Sequence, residues 1–178
     1  MSICNTAKNT ALKVSGRLRQ EHGQSLVEFA VVLPVLIMII LGILYFGRYE
    51  DYANQETQLA EEGVRWAAVD NNPSTTGQTL QQYILSQASA ELGNGSTDVT
   101  SPAKVWIYQP TSATSYASGE PLRVCVIATV VFPSPIGAPS TTITQMATMR
   151  IEQVPTAGTN PWTSGNPTGT MPSQCLTS

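Results

Sequence analysis

One apolar segment constrains this chain more than any other part of its sequence. From residue 26 to residue 46, every side chain is apolar, small or aromatic except Glu28. As an α-helix this segment rises about 32 Å, enough to cross the hydrocarbon core of a bilayer. A secretory signal peptide is the competing interpretation, but its apolar region is usually only about 7 to 15 residues long. The sequence therefore predicts one transmembrane helix, over residues 24–46.

The charges on either side of this segment predict its orientation. Four basic residues precede it, namely Lys8, Lys13, Arg17 and Arg19. Beyond it, Arg48 is followed closely by Glu50 and Asp51. Because positively charged flanks stay in the cytoplasm, we expect the N-terminus inside. The chain after about residue 47 is then outside the membrane, in a periplasmic or extracellular space.

The helix is expected to continue outside the membrane through residues 47–70, which contain no proline. One stripe at helical spacing is mostly apolar and holds Tyr45, Tyr49, Tyr52, Glu56, Leu59 or Ala60, Gly63 and Ala67. The opposite face is polar and holds Glu50, Asp51, Asn54, Gln58, Glu61 and Glu62. Such an amphipathic helix needs a partner for its apolar stripe. Pro73 cannot continue it, so we expect an end near residue 71.

Residues 71–154 predict an exported α+β domain. A four-residue repeat of apolar positions indicates a short helix over residues 78–92. Alternating apolar residues indicate three strands, between residues 102 and 110, 122 and 132, and 141 and 154, although the facing of the third is ambiguous. We expect an antiparallel sheet covered by the two helices. Residues 155–178 are rich in Pro, Gly, Thr and Ser and predict a disordered tail.

Glu28 is the one charge in the apolar segment. A carboxylate costs about 2.5 to 3.5 kcal/mol at the bilayer centre and less near the interface. A cut between Gly23 and Gln24 would create a cationic α-amino group on the membrane segment, and Glu28 of one subunit would pair with the amine of a neighbour. The simpler interpretation is that Glu28 reaches the headgroup level. Pro34 removes an amide from the same helix and predicts a kink.

These features carry a family resemblance. Residues 23–34, GQSLVEFAVVLP, resemble the processing site of type IV pilins, in which a prepilin peptidase cuts after the glycine. Together with LGILYFGR (residues 41–48), AEEGVRWAAV (60–69) and, more weakly, MATMRIE (146–152), they resemble the TadE-like family, minor pilins or pseudopilins of tight-adherence type IV pili. Glu61 departs from the pattern, because the family usually has a basic residue there.

The resemblance implies a type IV pilin-like fold and a leader, residues 1–23, that prepilin peptidase removes. It also implies a subunit of the bacterial inner membrane that joins other pilin subunits on an assembly platform driven by a cytoplasmic ATPase. It covers about the first third of the mature chain. The prediction for residues 71–140 therefore depends on periodicity alone.

The sequence offers no constellation for catalysis. The single histidine, His22, and Cys4 lie in the leader, so serine-histidine catalysis is not expected. Cys125 and Cys175 are too few for a structural zinc site and are instead candidates for a disulfide in an oxidising compartment. No glycine-rich phosphate loop is present. We expect no enzymatic activity and no cofactor.

The charge distribution argues against a nucleic-acid partner. Residues 1–23 carry +3 of a formal net charge of −3, which leaves −6 for the rest of the chain. Only Lys104, Arg123 and Arg150 are basic after residue 65. A surface that follows a phosphate backbone needs many more basic residues.

A different function remains open from the sequence. The chain would then be an uncleaved, signal-anchored envelope protein whose exported domain binds a glycan or a protein. The candidates for a sugar-stacking surface are Trp106, Tyr108, Tyr116 and Trp162. The alternative for these aromatic residues is that they fill the core or lie on loops.

Overall fold

The computed structural model of the chain describes residues 5–110, 116–132, 137, 139–154, 162 and 170–176, with side chains from residue 23 onward. Its elements are α1 Asn5–Ala68, α2 Leu80–Ser86, α3 Ala90–Asn94, β1 Val99–Tyr108, β2 Pro121–Val131, β3 Ser140–Arg150 and a 3-10 turn, Ser173–Cys175. The predicted α+β class, with a long N-terminal helix and a three-stranded antiparallel sheet, is confirmed. The chain divides into two compact units, Met1–Phe46 and Gly47–Ser178.

The first unit contains the N-terminal part of α1. This helix begins at Asn5. Residues 5–22 contain no proline and are rich in Ala, Leu, Lys and Arg, which favour helix. Pro34 lies inside α1, which continues past it. The kink at Pro34 stays a prediction.

The second unit is built on a sheet with the strand order β1-β2-β3. β2 and β3 pair without interruption from Pro121 opposite Arg150 to Val131 opposite Ser140. The pairing of β1 with β2 is irregular between Val99 and Lys104, a stretch that includes a proline, which cannot donate an amide to the ladder. β1 begins at Val99, whereas the sequence predicted a strand between residues 102 and 110.

The main core lies between the helices and one face of this sheet. The extramembrane half of α1 contributes the predicted stripe, with buried Tyr52, Leu59, Ala60, Val64 and Ala67. The central strand contributes every second residue, namely Leu122, Val124, Val126, Ala128 and Val130. Ile143 of β3 is buried in the same core, which settles the facing of that strand. The sheet thus supplies the partner that the amphipathic helix needs.

The single helix predicted over residues 78–92 is wrong, because two short helices occupy this segment. Thr79 caps α2, where its side chain accepts a bond from the amide of Gln82 and the Gln82 side chain accepts one from the amide of Thr79. Ser89 caps α3 by accepting a bond from the amide of Leu92. A capping residue adopts a non-helical backbone, so Ser89 interrupts the helix.

Gly63 marks the closest approach of α1 to the rest of the core. A Cβ atom at this position would lie 2.7 Å from Cδ1 of Ile84 and 3.3 Å from Cγ1 of Val124. We expect Gly63→Ala to overpack the core and to lower the free energy of unfolding by about 1 to 3 kcal/mol relative to Gly93→Ala. Gly93 is the matched control, because its Cβ would meet ordinary contacts from 3.4 Å. Denaturant unfolding of both variants measures the difference, and equal stabilities would contradict this packing.

Candidate functional site

The predicted processing segment lies on an exposed part of α1. Gly23, Gln24 and Glu28 are all exposed, and no other described atom comes within 4 Å of a Cβ placed on Gly23. Nε2 of Gln24 donates a hydrogen bond to Oε1 of Glu28 over 3.3 Å, one helical turn along the chain. The structure therefore places Gln24, the residue after the predicted cut, on the same helix face as Glu28, the predicted pairing residue.

The rest of this helix presents an apolar surface on all sides. Most large apolar side chains between residues 26 and 46 have exposed fractions from 37% to 71%, and Leu41 is half-buried. Mean hydropathy over an 18-residue window of the helix is 2.9, and the helix is long and apolar enough to cross a membrane. A surface of this kind needs lipid or other apolar helices around it. The helix therefore has the length and composition that a membrane anchor requires.

Near the start of the second unit, polar contacts join α1 to the first turn of α3 and to the residue before β1. Arg48 forms an ion pair with Asp98. The hydroxyl of Tyr52 donates a hydrogen bond to Oε2 of Glu91 over 2.7 Å. Burial, and then the bond to Glu91, raise the pKa of Tyr52 to about 12. Arg48, which the sequence used only for orientation, thus also fixes the helix to its domain.

Glu56 is a fully buried acid in the main core. Its exposed fraction is 0%, and neither carboxyl oxygen has a hydrogen-bond partner among the described residues. Burial raises its pKa from the usual 4.5 to about 8. Sequence reasoning placed Glu56 on the buried stripe but did not single it out. The sequence does contain a signal for Glu56, because it is an acid at a position where the helical spacing predicts an apolar residue.

The two candidate cysteines are joined. Cys125 of β2 and Cys175 of the 3-10 turn form a disulfide with a Cα–Cα distance of 5.9 Å. They belong to a second apolar cluster, on the face of the sheet opposite the main core, with Trp106, Tyr108 and Ile127. The Tyr108 hydroxyl donates a hydrogen bond to the backbone carbonyl of Cys175. The end of the chain therefore covers part of this outer face.

The disordered tail predicted over residues 155–178 differs from the structure at the points that are described. Trp162 is buried in the main core, and its carbonyl accepts a bond from the Gln81 side chain. Residues 170–176 include the turn that carries buried Cys175. The remaining residues of the tail lie outside the described part of the chain. Composition failed at Trp162 and Cys175 because one side chain is buried in the main core and the other is held by a disulfide.

The disulfide should contribute to stability because it closes a loop of 50 residues. We expect the double variant Cys125→Ala and Cys175→Ala to lose about 2 to 4 kcal/mol of unfolding free energy in chemical denaturation. Cys4→Ala, which removes the third cysteine, should leave stability unchanged. Mass spectrometry after alkylation provides the direct test. Alkylation of both Cys125 and Cys175 in native, unreduced protein would contradict the bond.

The aromatic residues do not form the sugar-stacking surface that the alternative function required. Trp106 and Tyr108 are buried in the outer cluster, and Trp162 is buried in the main core. Tyr116 packs edge-on against Trp162, with ring centroids 5.3 Å apart, and burial raises its pKa. Trp106, Tyr108 and Trp162 therefore fill apolar clusters, the alternative that the sequence offered for them, and these clusters lie on opposite faces of the sheet.

One polar cleft lies between the end of α1 and the start of α2. Its volume is about 290 Å³, and its lining includes Asp70, Asn71, Gln78 and Trp162. Within the described residues, no group of three or more His, Cys, Asp or Glu side chains could hold a metal ion. The lining combines amide groups with the hydroxyl of Thr79 and the carboxylate of Asp70.

Comparison with known proteins identifies the N-terminal segment. The family model described as TadE-like protein matches residues 23–65, which include the processing segment, the apolar helix and most of the amphipathic stripe. No curated protein and no solved structure matches the chain. Residues 23–65 are therefore similar to the TadE-like family, as the motifs within them predict.

Proposed function

We propose that this chain is a non-enzymatic minor pilin or pseudopilin of a tight-adherence type IV pilus. The TadE-like segment associates the chain with that pilus system. In this proposal prepilin peptidase removes residues 1–23 and the product is anchored in the bacterial inner membrane. The N-terminus lies in the cytoplasm and the domain after residue 47 lies outside. The partners are other pilin subunits and the assembly platform, with no nucleic acid and no cofactor.

The observation that carries this proposal is the position of Glu28. It is an exposed acid on a helix surface that is otherwise apolar, one turn after the predicted cut. In the uncut chain its described partner is the neutral Gln24 side chain, which does not compensate its charge. Cleavage after Gly23 would place a cation at residue 24. That cation supplies the counter-ion which a carboxylate in a membrane requires.

Pairing between subunits explains why cleavage would precede assembly. Before cleavage, two such helices side by side would bring two carboxylates together without a cation on either segment. After cleavage, each helix carries both an amine and a carboxylate, so Glu28 of one subunit can neutralise the amine of the next. The exposed apolar side chains around these charges then pack against neighbouring helices or lipid. Charge pairing would fix the register of that packing.

Processing is tested on protein extracted from membranes of cells that express the whole pilus system. We expect N-terminal sequencing to begin at Gln24, and Gly23→Ala to retain the leader. Gly42→Ala is the matched control, since Gly42 is an equally open glycine of the same helix. An intact N-terminus in the unaltered protein would contradict the proposal and favour an uncleaved envelope protein.

Assembly is tested separately with Glu28→Gln. This variant should be processed normally, because the cut lies between Gly23 and Gln24. Its recovery with other pilin subunits should fall by more than about tenfold, because each neighbour's amine remains unpaired. Glu50→Gln, outside the apolar segment, is the control. Quantitative co-purification from detergent extracts measures the effect, and normal recovery of Glu28→Gln would contradict the pairing.

A further inference from the structure

Glu56 is a charge-bearing group that the proposed function does not use. It is fully buried on the face of α1 that packs in the main core, and both of its carboxyl oxygens lack a partner among the described residues. An ionised carboxylate in such a place is very costly, so the group stays neutral when the domain is packed. An apolar residue would fill the position at lower cost. An acid that lowers stability in this way is a candidate for a conformational role.

The groups around Glu56 offer it no counter-ion. On α1 the titratable residues of the same core are Tyr49 and Tyr52, and Tyr52 bonds to Glu91 of α3. α2 contributes Tyr83, and Tyr116 also packs on this core. The core-facing residues of β1, β2 and β3 carry no titratable side chain among those described. Burial alone raises the pKa of Glu56, so its ionisation is not compensated by any of these groups.

The way in which α1 is attached to its domain makes that attachment sensitive to a charge at Glu56. At one end, Arg48 and Tyr52 bond to Asp98 and Glu91. At the other end, the carbonyl of Ala68 accepts bonds from the amides of Glu152 and Gln153. Between these two ends, the described contacts of α1 with the sheet are apolar. Glu56 lies in that middle section, where burial of side chains provides the attachment.

The sheet does not depend on α1 in the same way. Its strands are held by continuous backbone pairing, above all between β2 and β3. The disulfide of Cys125 and Cys175 reinforces its opposite face. Loss of packing along the middle of α1 can therefore occur while the strands remain paired.

We propose that Glu56 is a proton-controlled latch: its neutral form allows the extramembrane half of α1, residues 47–68, to pack on the sheet, and its ionised form releases the middle of that helix. The direction follows from linkage. The carboxyl has a higher pKa in the packed state, so packing is strongest below about pH 4.5 and weakens as the pH rises towards about 8. The extramembrane half of α1 would then pack firmly on the sheet at acidic pH and weakly at alkaline pH.

Hydrogen exchange of the full-length chain in detergent micelles tests the latch. Exchange is followed by mass spectrometry from pH 5 to pH 9 and corrected for the intrinsic rate at each pH. For amides of residues 52–67, the equilibrium constant for opening should rise about tenfold per pH unit up to about pH 8 and then level off. Amides of β2 should show no such change. Glu56→Gln should be independent of pH, while Glu61→Gln, on the exposed face, should behave like the unaltered protein.

Several outcomes would overturn the latch. One is an unaltered protein whose helix amides open equally at every pH. Another is a Glu56→Gln variant that retains the full pH slope. A third is a β2 slope equal to that of α1, which would mean that the whole domain unfolds. If Glu56→Gln does not fold, Glu56→Met, which has an unbranched side chain of similar length, provides the same comparison. In addition, carbon NMR of glutamate carboxyls in the unaltered protein must show one group that titrates near pH 8.

Discussion

The structure depends on one helix that has to satisfy two environments. Between residues 26 and 46, α1 is almost wholly apolar, and most of its large side chains are exposed. From residue 47 onward only one stripe is apolar, and that stripe is buried against the sheet. A helix can serve both environments because its backbone hydrogen bonds are internal and its side chains alone decide what surrounds it. The anchor and the domain core thus share one element.

Two acids on this helix show how differently a carboxylate can be accommodated. Glu28 remains exposed within an apolar surface, where another molecule can supply a counter-ion. Glu56 is enclosed by its own domain, where no counter-ion lies among the described residues and the proton itself removes the charge. In the proposed function, the first arrangement favours association between subunits. In the proposed latch, the second makes the packing of the helix depend on pH.

The sheet gains stability from both of its faces. Its inner face holds the main core, to which all three helices and Trp162 contribute. Its outer face would leave Trp106 and Ile127 uncovered without the end of the chain, which the disulfide holds in place. Small domains often need such a covalent link, because a short chain buries too little apolar surface. The C-terminal segment is therefore part of the fold at Trp162 and Cys175, despite its composition.

The amino-acid sequence by itself determined the membrane helix, the amphipathic stripe, the number of strands and the likeness of residues 23–34 to a processing site. Each of these follows from the hydrophobicity or spacing of residues that are close together in the chain. Only the tertiary structure decided that Glu56 has no hydrogen-bond partner among the described residues, that the aromatic residues lie on opposite faces of the sheet, and that Cys175 bonds to Cys125. These outcomes depend on residues far apart in the sequence, such as Arg48 with Asp98, whose approach local periodicity does not encode.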